Sequence, residues 1–174
     1  RGSISHANTA ADSVGVVPGM DCRTAAELLE RASLPTGKAG KIREAREELE
    51  PHPGGRRLVI VDSASLVLPQ DVGQVVVTGS HGAIFGGNPA NALKVDAALA
   101  LFNDAGGKAT SRLRALDDRG IAGATVAAMS ARIGDGESTY QDGVISACNS
   151  HAAAMGAFVG MPARDLVRLA LKKN

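Results

Sequence analysis

The chain has few aromatic residues and little net charge. Phenylalanine, tyrosine and tryptophan together make up 2% of its 174 residues, and tryptophan is absent. So few rings argue against a base-stacking platform or an aromatic sugar-binding surface. The formal net charge is +1, whereas a nucleic-acid-binding protein concentrates a basic excess on one face. We therefore expect no nucleic-acid partner.

Cysteines and long apolar runs are also scarce. Cys22 and Cys148 are the only cysteines, and two thiols so far apart indicate neither a disulfide framework nor a zinc site. No apolar run reaches the length of a membrane span, and no signal peptide is recognisable. These features predict a reduced, cytoplasmic protein with no membrane partner.

The first fifty residues differ from the rest. Residues 1–20 are small and polar and predict an extended or disordered arm, of which residues 1–3 resemble an expression-vector remnant. Residues 21–50 predict helices. "CRTAAELLERA" places its apolar residues on one face, and either Asp21 or Thr24 can cap it. "KIREAREELE" carries opposite charges at helical spacing, as a surface helix does.

Residues 56–174 alternate between apolar runs and helical patterns. The runs predict strands at 57–62, 73–78, 97–103 and 123–129. The helical patterns lie at 87–95, 108–119 and 137–156, and a last helix begins after Met161 with Pro162 in its first turn. Strands alternating with helices are typical of a parallel sheet buried on both faces.

The predicted fold is therefore α/β. We expect a single domain over 21–174, with a mostly parallel sheet flanked by helices in three layers and an N-terminal helical arm. The first two strands are the exception to this pattern. Their connection is short for a crossover helix, so the sequence leaves open an antiparallel pairing of these two strands.

Polar and glycine-rich segments follow the predicted strands. Asp62 follows the first strand, and the other segments contribute Gly79, Ser80, His81, Gly82, Asn103, Asp104, Ser130, Arg132 and Asp135. The carboxyl ends of parallel strands share one edge of the sheet, and ligands bind outside that edge in open α/β folds. The sequence therefore predicts a ligand site there.

Acid–base chemistry at this edge would centre on His81. Its imidazole ordinarily titrates near neutral pH, which suits a general base. Asp104 or Asp62 would orient the ring. In an alternative, these three side chains hold a divalent cation through nitrogen and oxygen, although no cofactor is the first expectation. In the plainer interpretation, Asp104 is a helix N-cap or a turn residue.

Anion binding is predicted at two neighbouring segments. The turn of Gly79, Ser80 and Gly82 offers backbone N–H groups to a ligand, and Arg132 offers a planar two-donor fork. Asn103, Ser130 and Asp135 complete the predicted substrate-binding set. The structural alternative is a capped loop in which Arg132 pairs with Asp135.

Together these patterns favour a small enzyme that uses acid–base chemistry, as a lyase, isomerase or hydrolase. Its substrate would be a small anionic metabolite bearing a carboxylate. The alternative is a non-catalytic anion-binding or regulatory subunit with the same anion site. The polar arm and the alanine-rich helices favour a homo-oligomer.

Overall fold

The computed structural model describes residues 2–33, 43–49 and 55–172. The chain divides into two compact units, Arg1–Ile42 and Arg43–Asn174. The described part of the first unit contains helices α1 (Thr9–Ser13) and α2 (Cys22–Glu30), and the side chains of Asn8 and Asp21 cap them. Helix α2 agrees with its prediction. Helix α1 instead occupies part of a segment predicted to be extended or disordered.

The second unit is built on a six-stranded sheet in the order β1 to β6. The strands are β1 (Arg46–Leu49), β2 (Leu58–Val61), β3 (Val75–His81), β4 (Leu99–Asn103), β5 (Ala122–Val126) and β6 (Ile145–Cys148). Strands β2 to β5 are parallel, and the two edge strands are antiparallel to their neighbours. The predicted α/β class with a mostly parallel sheet is confirmed.

The first two predicted strands, β2 and β3, are parallel, so the antiparallel alternative is wrong. Their connection, residues 62–74, is about a dozen residues long, which is enough for a parallel crossover. It contains short 3-10 turns at Ala64–Leu66 and Pro69–Asp71 instead of an α-helix.

The helix predicted over 87–95 is also wrong. The structure has 3-10 turns at Phe85–Gly87 and Pro89–Ala92. Gly86 and Gly87 both have left-handed φ angles, of 64° and 70°. An α-helix cannot include two such residues in succession.

Within "KIREAREELE", residues Arg46–Leu49 form the edge strand β1 where a surface helix was predicted. Residues 41, 42 and 50 of that segment lie outside the described residues. Arg46 of this strand pairs with Asp71, whose side chain is fully buried, with 2.9 Å between Nη2 and Oδ1. The Arg57 guanidinium pairs with Glu48. These contacts to distant residues outweigh the intrinsic helix propensity of the segment.

The long helix predicted over 137–156 is replaced by helix α4 (Gly136–Gln141), strand β6 and helix α5 (Ser150–Met155). Ile145 packs in the core as β6 pairs with β5. Asn149 begins α5, where its Oδ1 accepts from the N–H groups of Ala152 and Gly123. The Asn149 cap and the pairing of β6 with β5 together divide the segment that the sequence pattern predicts as one helix.

The two faces of the sheet are covered by different parts of the chain. Right-handed crossovers between strands in sequential order place every connection on the same face. The connections after β2 and β3 and helix α3 (Ser111–Asp117) accordingly share a core with Val76 and Phe102. Helix α6 (Ala163–Lys172) packs with Val77 and Leu101 on the opposite face.

The sequential strand order also bears on where a ligand can bind. Between β2 and β5 the order never reverses, so these strands lack the switch point that opens a crevice in doubly wound sheets. Across the three described stretches of chain, no helix has the length and apolar character needed to cross a bilayer.

Candidate functional site

The segments that follow strands β2 to β5 do meet at one edge of the sheet. The Gly134 N–H donates to the carbonyl of Gly79 at 2.7 Å. The Gly136 N–H donates to Asp62 Oδ1 at 3.0 Å, and Asn103 Nδ2 donates to the Ala131 carbonyl at 3.0 Å. The structure thus brings together the segments that the sequence singled out.

The glycines of "TGSHG" are required by close packing. A Cβ on Gly79 would lie 2.3 Å from the backbone nitrogen of Asp135. A Cβ on Gly82 would lie 2.3 Å from the carbonyl oxygen of Ala109. Both distances are far below van der Waals contact, so neither position can hold a side chain without moving the backbone. Contact with protein backbone accounts for both glycines without a ligand.

Asp62 ties three segments together. Its Oδ2 accepts from the Ala45 N–H at 2.7 Å, just before β1, and its Oδ1 accepts from Gly136 N–H at the start of α4. Gly136 itself packs against β2, because a Cβ there would lie 2.5 Å from the Val61 carbonyl oxygen. Both carboxylate oxygens of Asp62 therefore have backbone partners.

Asn103 and Asp104 are buried and hold the turn after β4. Asp104 Oδ1 accepts from the N–H groups of Ala128 and Gly106 at 2.9 and 3.0 Å. Burial by itself raises the pKa of Asp104. Hydrogen bonds from Ala128, from the Ser146 hydroxyl and from the turn outweigh burial, and the net effect lowers that pKa. The carboxylate is kept charged by donors from the fold itself.

The turn after Asp104 is unusual because three successive residues are left-handed. Ala105, Gly106 and Gly107 have φ angles of 47°, 84° and 85°. The Asp104 carbonyl accepts from the N–H groups of Gly107, Lys108 and Ala109, and Asn103 Oδ1 accepts from Ala105 N–H at 2.9 Å. These bonds hold Ala105, the residue of the three that is not glycine, in its strained conformation.

Arg132 and Asp135 form the structural pair that was the alternative to an anion site. Arg132 Nη2 lies 2.8 Å from Asp135 Oδ2, and 76% of the Arg132 side chain is exposed. The N–H of Ser138 is the main cause that lowers the pKa of Asp135, and Arg132 adds to it. Ser130 is also engaged, since its hydroxyl donates to Ala127 and accepts from Val144 N–H.

Ser80 and His81 lie at the end of β3. Ser80 Oγ accepts from the Ala64 N–H at 2.9 Å and so fastens the turn after β2. The His81 side chain is exposed, and its Nδ1 accepts from the Ala83 N–H at 3.2 Å. An imidazole that accepts at Nδ1 carries its proton on Nε2 when neutral. No contact described in the structure joins His81 to Asp62 or Asp104.

The predicted residues therefore share an edge of the sheet, where most of them are hydrogen-bonded to backbone groups. Within the part of the chain that the structure describes, no three histidine, cysteine or acidic side chains are grouped as a metal site would require. The alternative in which His81, Asp62 and Asp104 hold a divalent cation stays a prediction, which a metal assay of the purified protein can test. Of the predicted set, Ser130 and Arg132 line a cavity of about 190 Å³.

Arg112 was missed by the sequence analysis. It lies in the first turn of α3 and is only 8% exposed. Its Nε donates to the Ala83 carbonyl at 3.1 Å, and its Nη1 donates to the carbonyls of Asn91 and Ala92. Its guanidinium also lies 5.0 Å from the centroid of the Phe102 ring. Burial lowers the pKa of Arg112.

No carboxylate of the described residues forms an ion pair with Arg112 (compare Arg46, Arg57, Arg119, Arg132 and Arg168, which each pair with an acidic side chain). Its Nη2 also lacks a hydrogen-bond partner among these residues. Every fully buried side-chain nitrogen or oxygen described does have a partner, so Nη2 is not sealed inside the protein. Arg112 thus offers two N–H donors and an unneutralised charge.

Arg112 lines a cavity of about 200 Å³. The cavity is bounded by residues that follow β2, β3 and β4: Ala64, Ser65, Ala90, Asn91, Leu93, Lys94 and Arg112. Lys94 donates from Nζ to the Ser65 carbonyl and has no acidic partner among the described residues. Two cations without a counter-charge therefore face one small cavity, which is a favourable place for an anion.

A signal for Arg112 does exist in the sequence. In "SRLRALD", Arg112 precedes Ala115 and Leu116 by three and four residues, which places it on their side of the helix. Arg114 lies on the other side and is exposed, whereas Arg112, Ala115 and Leu116 are buried. A charged residue on the apolar side of a helix marks a buried charge that needs partners.

The chain was also compared with known proteins. No protein-family model matches it, and the comparisons with curated proteins and with solved structures found no match either.

Proposed function

We propose that this protein binds a small anion in the cavity beside Arg112 and Lys94. The observation that carries the proposal is the buried guanidinium of Arg112, which has no carboxylate partner among the described residues and two N–H donors left at Nη2. Desolvating a guanidinium costs several kcal/mol. Three backbone carbonyls offset part of that cost, and a bound anion would offset more.

A phosphate or a carboxylate fits these donors. The planar fork of arginine matches either group, and lysine adds a point charge beside it. The small volume of the cavity, about 200 Å³, suits a single anionic group. The proposed ligand is still the small anion predicted from the sequence, but the proposed anion site is at Arg112 instead of Arg132. The proposal corresponds to the alternative of a non-catalytic anion-binding protein.

Calorimetric titration with inorganic phosphate tests the proposal. We expect saturable binding by the unmodified chain and a loss of about 1.5–3 kcal/mol in Arg112→Lys, because lysine cannot reproduce the fork. Arg132→Lys is the matched control and should bind phosphate normally. Lys94→Met tests the second cation, at an exposed position.

Two results would contradict the proposal. One is the absence of phosphate and acetate binding by the unmodified chain. The other is equal weakening by Arg112→Lys and Arg132→Lys, which would point to general electrostatics. If Arg112→Lys does not fold, Lys94→Met carries the test, and undiminished phosphate binding by that variant would also count against the site.

A second candidate is acid–base catalysis with His81 as the base, next to the same anion site. It is favoured by one observation: Ala83 donates its N–H to His81 and accepts from Arg112 at its carbonyl. Ala83 therefore links His81 to the proposed anion site. In this case His81→Asn should keep phosphate affinity and abolish turnover of any small phosphate ester or carboxylate that the unmodified chain converts.

A further inference from the structure

Lys94 lies where three adjoining depressions meet. It lines the cavity beside Arg112, a second depression of about 470 Å³ and a third of about 370 Å³. The first and third also share Ala90 and Leu93, and the second and third share Arg119. The three depressions therefore adjoin one another around Lys94, and together they form a groove that includes the Arg112 cavity.

The second depression differs chemically from the Arg112 cavity. Its lining includes Pro69, Val72 and Val95, and Val72 is 57% exposed. Its two remaining charged residues neutralise each other, because Arg119 Nη2 lies 2.7 Å from Asp96 Oδ1. The second depression thus presents apolar side chains and an ion pair beside Lys94. The cavity beside Arg112 instead presents two cations that have no acidic partner among the described residues.

From this arrangement we infer that the ligand is an amphipathic organic anion, with its phosphate or carboxylate at Arg112 and an apolar portion against Val72 and Val95. The inference rests on the proposed anion site and adds the class of molecule that fills it. Ligand sites generally combine apolar walls with a few placed polar groups. The second depression, at about 470 Å³, has room for a short aliphatic chain.

The experiment compares inorganic phosphate with n-butyl phosphate, and acetate with hexanoate, by calorimetry on the full chain. The alkyl chain should tighten binding about tenfold, because burial of its methylene groups favours binding and an open groove buries only part of the chain. If the phosphate compounds bind more tightly than the carboxylates, the natural ligand class is a phosphate ester. If the carboxylates bind more tightly, it is a carboxylate.

Val72→Asn is the decisive variant because it is neutral and lies at an exposed position. It should bind inorganic phosphate as the unmodified chain does and lose most of the gain from the butyl group. Val159→Asn is the matched control, since Val159 is 67% exposed and does not line the groove. Val159→Asn should keep the full gain in affinity that the butyl group gives.

The outcomes separate this inference from the proposed function. If phosphate binds but the butyl group adds nothing, or if Val72→Asn keeps the gain, the amphipathic ligand is wrong and the anion site stands. If none of the four compounds binds, both are wrong. A tenfold gain that Val72→Asn removes and Val159→Asn keeps supports the inference.

Discussion

His81 and Arg112 hold opposite ends of the same residue. The Ala83 N–H donates to His81 Nδ1 at 3.2 Å, and the Ala83 carbonyl accepts from Arg112 Nε at 3.1 Å. His81, which the sequence analysis predicted as a site residue, and Arg112, which it missed, are therefore both bonded to the same short segment. Rigid placement of this kind is what a binding site needs from its scaffold.

Asp62 should contribute to stability through its backbone partners. Asp62→Asn places an amide donor against either the Ala45 or the Gly136 N–H, so at least one donor loses its acceptor. We expect a loss of about 1–3 kcal/mol in the free energy of unfolding, measured in urea. Asp165→Asn is the control, because its partner Arg168 is exposed and such pairs contribute about 0–1 kcal/mol. Equal effects in the two variants would refute the role of Asp62.

Gly79→Ala should be strongly destabilising. Its Cβ would meet the backbone of the loop at Gly134 and Asp135, and overpacking of this kind typically costs about 1–3 kcal/mol. Thermal unfolding should show a clearly lowered midpoint. A midpoint unchanged from the unmodified chain would reopen the interpretation of Gly79 as a residue kept small for a ligand.

The sequence predicted strands β2 to β5 and the shared edge because apolar runs followed by polar turns carry both signals locally. It left open whether β2 and β3 are parallel. It could not show how Asp62, Asn103 and Asp104 are used. Their partners are backbone groups that only the folded chain brings near them. Strand β1 was missed for a related reason, since the ion pair of Arg46 with Asp71 joins residues far apart in sequence.

The pair of Arg46 and Asp71 should be costly to break on one side only. Asp71 is fully buried, so Arg46→Met leaves an uncompensated carboxylate, and such losses are about 3–5 kcal/mol. The double variant Arg46→Met with Asp71→Asn should recover much of that loss. Urea unfolding of the two single variants and the double variant measures the coupling. Simple additivity of the two single effects would contradict it.

Asp104 should make stability depend on acid pH. Its folded pKa lies below the ordinary value of 3.8. Its contribution is therefore complete above 3.8 and is lost as the pH falls through that value and then through the lower folded pKa. Asp104→Asn removes this dependence. The stability difference between the unmodified chain and the variant, measured from neutral pH to about pH 3, should shrink as the pH falls. A constant difference would show that the carboxylate charge does not matter.

The central claim is that Arg112 keeps free donors for an anion. The most direct measurement is a titration of ¹⁵N-labelled protein with inorganic phosphate, followed at the Arg112 Nε–H signal, which Arg112→Lys identifies by its loss. We predict a saturable shift of that signal together with the backbone amides of Ser65 and Lys94, and an unchanged Arg132 Nε–H signal. An Arg112 signal that stays fixed, or that moves only in step with Arg132, would contradict the claim.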